Sequence, residues 1–105
     1  MSKFEEALDI MRDLHRQKNN DYSSAGEFDN FEITAKATGL SVEMVILVQI
    51  ANKIARLNAL NKTGKQPNFE SLEDTWKDLA TYSTIGYSYF LKDKKGTIKS
   101  NEPDR

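Results

Sequence analysis

Apolar residues recur at three- and four-residue spacing through most of this chain, which predicts helices rather than strands. From Lys3 to about Lys18, one face collects the residues expected to pack: Phe4, Ala7, Leu8, Met11, Leu14 and His15. Ser2 and Glu5 have the spacing of a capping box, so the first helix is predicted to begin at Lys3. The polar triplet 19–21 is expected to end it, and residues 22–26 are predicted to form a loop.

Two further helices follow. The first is predicted from Asp29 to Thr38, with Gly39 as the residue that ends it. Ser41 suits the N-cap of the next helix, which extends from Val42 to about residue 60. Because this third helix is apolar on most sides, it is expected to be the central helix of the domain.

The last helix is predicted to begin after Ser71 as its N-cap, with Asp74 at position N3. Its apolar surface comes from Leu72, Trp76, Leu79, Ala80, Tyr87, Phe90 and Leu91. From Asp93 the chain is rich in Lys, Gly, Asn, Pro and Asp, which is typical of a disordered tail. The pattern therefore predicts an all-α, four-helix bundle-like domain over residues 1–92 and a flexible tail over residues 93–105.

A group of polar residues, here called the basic stripe, interrupts the apolar third helix: Gln49, Asn52, Lys53 and Arg56. At about 100° per residue, these positions fall within one arc of roughly 100°. In one interpretation they form a solvated face whose cations favour the helix dipole. In the other they bind phosphate or carboxylate, for which Arg56 offers a planar fork and Lys53 a point charge.

An acidic stripe, Asp74 and Asp78, lies one turn apart on the last helix. Asp74 also fits a capping role, and Asp78 also fits a structural ion pair with Lys53 or Arg56. Carboxylate oxygens are the ligands that Mg²⁺ prefers, which makes a metal site another interpretation, with the candidates Glu70, Glu73, Asp74 and Asp78. If the two stripes face each other, they form a charged cleft, and we predict the site there.

Aromatic and amide residues form a third group. Tyr22 fits either a loop aromatic folded onto the core or a ring that stacks on a nucleobase. Asn30 and Tyr82 offer similar contacts to a base or sugar. The candidate ligand-binding residues are therefore Lys18, Tyr22, Asn30, Gln49, Asn52, Lys53, Arg56, Asp74, Asp78 and Tyr82.

Composition excludes several classes of function. The net charge of the 105 residues is -1, so there is no general positive field for nucleic acid. The absence of cysteine excludes disulfides, thiol catalysis and cysteine-ligated zinc, and a single histidine excludes a histidine-rich metal site within one chain. The charged first residues lack an apolar signal core, and the apolar run over residues 42–51 is too short to span a membrane. We therefore expect a soluble, cytoplasmic protein without a membrane partner.

The order of four segments resembles a phage and prophage family of small helical proteins, the nucleotide-modification-associated family. These segments are Lys18-Asn19-Asn20-Asp21-Tyr22, Asn30-Phe31, Asn52-Lys53-Ile54-Ala55-Arg56-Leu57, and residues 70–82 with the sequence ESLEDTWKDLATY. Over about residues 18–90 the chain is similar to the all-α, MazG-like nucleoside triphosphate pyrophosphohydrolases. The resemblance implies a MazG-like architecture, a nucleotide ligand and the cytoplasm of a bacterial host.

The chain departs from the MazG-like pattern on the third helix. Such enzymes carry a Glu-x-x-Glu pair there and a Glu-x-x-Asp pair on a later helix, and these acids together hold Mg²⁺ around a triphosphate. Here the basic stripe replaces the first pair, while Asp74 and Asp78 remain. Cations can hold phosphate directly but oppose a bound Mg²⁺. The resemblance, with this change, implies binding of a nucleotide without turnover and without a required cofactor.

In this leading hypothesis the protein sequesters a nucleotide, including a signalling nucleotide of host defence. Lys53 and Arg56 contact phosphate, and the acidic stripe orients these cations or binds ribose hydroxyls. A second hypothesis is an Mg²⁺-dependent pyrophosphohydrolase whose missing acids come from another subunit. A third is a non-enzymatic helical interaction module that uses the stripes for salt bridges. Aromatic residues that are expected to be exposed, such as Trp76, Tyr87 and Tyr89, predict a homo-oligomer in each case.

Overall fold

The computed structural model describes the backbone of residues 1–21, 28–62 and 69–97, and the side chains of residues 1–17, 28–62 and 71–92. These residues form four helices and no strand: α1 (Lys3–Asp21), α2 (Asp29–Thr38), α3 (Val42–Lys62) and α4 (Phe69–Thr97). The all-α prediction is confirmed. The bundle-like, MazG-like arrangement stays a prediction.

Local hydrogen bonds fix three of the predicted helix ends. Ser2 Oγ accepts from the Glu5 backbone N–H at 3.0 Å, and Glu5 Oε1 accepts from the Ser2 N–H at 3.0 Å, which completes the capping box. Ser41 Oγ accepts from the Met44 N–H at 3.1 Å. Gly39 ends α2 with a φ of 78°, a left-handed conformation in which glycine carries no steric penalty.

Three predicted helix boundaries differ from those in the structure. α1 continues through residues 19–21, because Asn and Asp cost a helix interior less than about 1 kcal/mol each. α4 begins at Phe69, so Ser71 lies inside its first turn and Asp74 in its second. The sequence offers another suitable capping residue type directly before Phe69, namely Asn68. α4 also includes residues 93–97 of the segment predicted as a tail, and the rest of that prediction falls outside the described residues.

α3 and α4 form an antiparallel hairpin, which carries most of the tertiary contact. Three opposed pairs set its register: Arg56 with Thr75, Lys53 with Asp78, and Ile46 with Gly86. Because residue numbers rise on α3 as they fall on α4, polar residues near the end of α3 meet polar residues near the start of α4. This register brings the two predicted stripes together.

The core lies where α2 packs on the first half of α3. The two helix axes are bent by 99° at the intervening turn. The buried residues Ala35, Val42, Val45 and Ile46 form one cluster, against which Phe31, Ile50, Ile85 and Tyr89 pack. The core therefore sits at one end of the hairpin, and the stripes lie toward the other end.

Two apolar faces, one on α1 and one on α3, are largely exposed. On α1, Phe4 is 72% exposed and Leu8 is exposed, while Met11 and Leu14 are half-buried. Few contacts join α1 to the hairpin, and they go to α4. α3 is covered on the side of α2 and α4 but leaves Leu47 53% exposed on the other side. α3 therefore packs against both α2 and α4, but no helix in the described part of the chain covers its other side.

Candidate functional site

An ion pair joins the two stripes across the hairpin. Lys53 Nζ lies 3.2 Å from Asp78 Oδ2, and the two side chains are 25% and 46% exposed. A pair this open to solvent contributes at most about 1 kcal/mol to stability. Its main effect is therefore to fix the direction of the Lys53 ammonium group between α3 and α4.

Arg56 is held by a hydroxyl rather than by a carboxylate. Its Nε donates to Thr75 Oγ1 at 3.3 Å. Thr75 is only 2% exposed, and its own hydroxyl proton goes to the Ser71 carbonyl oxygen at 2.6 Å. The Thr75 oxygen therefore meets Arg56 as an acceptor. Among the described side chains, no carboxylate forms an ion pair with the Arg56 guanidinium, which is exposed.

Thr75 was not among the predicted site residues. It lies on an apolar face between Asp74 and Trp76, where a threonine fits as a packing residue. A usable signal was its position three residues before Asp78, which places both side chains on the same side of α4. A search for every polar residue one turn from the acidic stripe would have included it.

Replacing Thr75 with valine is expected to release Arg56 while leaving the fold intact. Loss of one hydrogen bond to a buried hydroxyl costs about 1 kcal/mol in unfolding free energy. The Arg56 Nε–H should then exchange faster with water, as measured by NMR of the guanidinium groups. The matched control is Thr84→Val, because Thr84 makes the same bond to a carbonyl one turn back, 2.8 Å from Ala80 O, but is exposed. Equal effects of the two variants on Arg56 would contradict this assignment.

Beyond the acidic stripe, aromatic and amide side chains follow along α4 toward α2. Tyr82 lies one turn beyond Asp78, is half-buried, and meets Phe31 edge-on with ring centroids 6.3 Å apart. The antiparallel register places the half-buried Gln49 at the level of Tyr82. Asn30, next to Phe31, is exposed. Aromatic and amide groups therefore adjoin one end of the cationic pair.

The remaining predicted residues are placed less centrally. Asn52 and Asp74 are both exposed, on α3 and α4 respectively. Glu73 pairs with Lys77 at 3.2 Å on the outside of α4. Tyr22 and the side chains of residues 18 and 70 lie outside the described residues. Within the described ranges, no group of three or more acidic or histidine side chains is placed to hold a metal ion.

A second polar and aromatic cluster was missed by the sequence analysis. Phe28 packs edge-on against Tyr89 with centroids 5.2 Å apart, and Lys92 Nζ lies over both rings at 5.5 and 5.3 Å. Lys92 Nζ also lies 3.4 Å from Glu32 Oε2. The contacts depend on residues far apart in sequence, so periodicity gave no signal. These contacts hold α2 against the second half of α4, which keeps Phe31 of α2 close to α4.

A shallow, open depression lies between α2 and the start of α3. Its lining includes Asp29, Glu32, Lys36, Leu40 and Val42. None of the predicted site residues lines it. The two stripes and this depression therefore lie at separate places on the surface.

In the described part of the chain no single helix is long and apolar enough to cross a membrane, and α2 and α3 meet that combined requirement only together, as a pair bent by 99°.

Comparison with known proteins gives no assignment. The resemblance to the nucleotide-modification-associated family stays a prediction. No protein-family model matches the chain, and neither the curated proteins nor the solved structures contain a match to it.

Proposed function

We propose that this protein binds a phosphorylated nucleotide at the facing stripes of α3 and α4 and holds it without turnover. The observation that carries the proposal is the state of Arg56. Thr75 holds its Nε, and no described carboxylate pairs with its guanidinium. Within the described residues, an arginine held in this way can offer its two Nη groups to phosphate oxygens as a bidentate fork.

Lys53 supplies the second positive charge. It lies three residues before Arg56, so the two cations are neighbours on the surface of α3. Asp78 holds the ammonium group in place at 3.2 Å without burying it. An entering phosphate is thus bound by a fork from Arg56 and a point charge from Lys53.

The base and sugar extend along α4 in this arrangement. Thr75 and Tyr82 are seven residues apart, which is about 10 Å along a helix, a distance that a nucleotide can cover from phosphate to base. Tyr82 and Phe31 offer ring surface, and Asn30 and Gln49 offer amide groups for the base edges. Asp74, exposed one turn before Asp78, suits hydrogen bonding to ribose hydroxyls.

The absence of turnover follows from the charges around the acids. Lys53 neutralises Asp78, and Lys77 neutralises Glu73. Arg56, whose guanidinium pairs with no described carboxylate, adds a positive charge that opposes a divalent metal beside the phosphate position. The resemblance adds a MazG-like bundle, a phage or prophage origin, and a host-defence signalling nucleotide as the sequestered ligand.

A panel of nucleotides tests the proposal. Thermal unfolding is measured with mono-, di-, tri- and cyclic nucleotides, each with and without Mg²⁺, followed by product analysis. A ligand at 100 times its Kd stabilises by about 2.7 kcal/mol, which raises Tm by about 10 °C or more in a domain of this size. We expect such a rise without Mg²⁺ and with the ligand intact. A rise that requires Mg²⁺ and releases pyrophosphate would instead establish the pyrophosphohydrolase.

The second candidate is a helical interaction module without a small-molecule ligand. The observation that favours it is the exposed aromatic surface of α4, where Tyr87 and Phe90 stack with centroids 6.4 Å apart and Trp76 is exposed on the same helix. Such surface is typical of a face that another protein covers. No change in Tm with any nucleotide of the panel would favour this function.

A further inference from the structure

The side of α3 that faces away from α2 and α4 is apolar over its first three turns and beyond. We call it the outer seam; its residues are Met44, Leu47, Val48, Ala51, Ile54 and Ala55, and all six are exposed. The basic stripe and the buried residues of α3 lie on the opposite side of the helix. A surface helix ordinarily shows polar residues on the side away from its core, so this face has the composition of a second packing surface.

The spacing of the outer seam is that of a helix pair. Met44, Leu47, Ala51 and Ile54 alternate steps of three and four residues, which is the a and d pattern of two packed helices. Asn58 lies at the next a position and ends the apolar series. Ala51 lies in the middle of the series, and a small side chain there lets two backbones approach closely.

We infer that the outer seam pairs with the outer seam of a second copy, antiparallel, about a two-fold axis near Ala51. Charge favours this direction. Glu43 lies in the first turn of α3 and Lys62 in the last, so antiparallel helices bring opposite charges and opposite dipole ends together. Parallel helices would align like charges. The two-fold pairing is closed, and it leaves the Lys53 and Arg56 side of each α3 uncovered.

Charge substitution in the seam tests the pairing. Leu47→Glu buries an unpaired carboxylate in the proposed dimer but lies at an exposed position in one chain, so the variant should fold. We expect light scattering after gel filtration to show a dimer for the wild type and a monomer for Leu47→Glu, with Kd raised at least about 100-fold. Helical content by circular dichroism should be unchanged. The matched control is Tyr87→Glu, a substitution at an exposed position of α4, and this variant should remain a dimer.

A monomeric wild type, or a dimer that survives Leu47→Glu, would overturn the inference. Cysteine cross-linking tests its direction, because the chain has no native cysteine. Ala51→Cys should form a disulfide with its own copy on oxidation. Asn58→Cys should cross-link only in a mixture with Met44→Cys, since the two-fold axis places position 58 opposite position 44. A self-linked Asn58→Cys dimer would indicate parallel helices and contradict the proposed pairing.

Discussion

Arg56→Ala is expected to weaken nucleotide binding by about 10- to 100-fold, because a hydrogen bond to a charged group contributes about 1.5–3 kcal/mol. The measurement is calorimetric titration with the nucleotide that gives the largest Tm rise in the panel. Lys53→Met should have a smaller effect, since a lysine acts on phosphate as a point charge without a bidentate fork. Neither variant should change the free energy of unfolding by more than about 1 kcal/mol, because both residues are at least partly exposed.

Arg12→Ala is the matched control for Arg56→Ala. Arg12 is also an exposed helical arginine, but it lies on α1, where it pairs with Asp9 at 2.9 Å. Binding by Arg12→Ala should equal that of the wild type. If both arginine variants lose affinity equally, the effect is one of total charge, and Arg56 has no specific part in the site.

Ile46→Ala is expected to lower the free energy of unfolding by about 2–5 kcal/mol, the usual cost of truncating a fully buried aliphatic side chain. Ile46 is only 2% exposed, lies in the cluster with Ala35, Val42 and Val45, and faces Gly86 across the hairpin. Its truncation opens a cavity at the contact that holds α2, α3 and α4 together. Denaturant unfolding followed by circular dichroism measures the loss.

The matched control is Ile33→Ala on α2, which removes the same atoms from a side chain that is 65% exposed. That variant should change stability by no more than about 0.5–1 kcal/mol. Similar losses for Ile46→Ala and Ile33→Ala would contradict the placement of the core between α2 and the first half of α3.

Local features of the fold could be predicted from the sequence. The Ser2 and Ser41 caps and the left-handed Gly39 depend on residues within one turn of each other, so the sequence contains all the information that they need. The start of α4 was placed wrongly because Ser71 and Asn68 are both suitable caps, and the sequence around them does not choose between the two. The exposure of α1 and of the outer seam depends on which helices surround them, a property that periodicity does not report.

The sequence predicted the two stripes of the site but not which residues of one stripe contact the other helix. Helical spacing placed Lys53 and Arg56 on one side of α3, and the alternatives for Asp78 included a bridge to either cation. In the structure Asp78 forms the ion pair with Lys53, and Arg56 donates a hydrogen bond to Thr75 instead. This choice depends on the register of α3 against α4, which no single helix contains. Thr75 was missed for the same reason, because its role arises only from the helix opposite.

The most direct test of phosphate recognition by Arg56 is a ¹H–¹⁵N spectrum of the arginine side chains, recorded with each nucleotide of the panel. The chain has four arginines, and substitution of each one assigns its Nε–H signal. We expect at least one nucleotide to shift the Arg56 signal while those of Arg12 and Arg16 on α1 stay in place. A nucleotide that binds and leaves the Arg56 signal unmoved would contradict the proposed site.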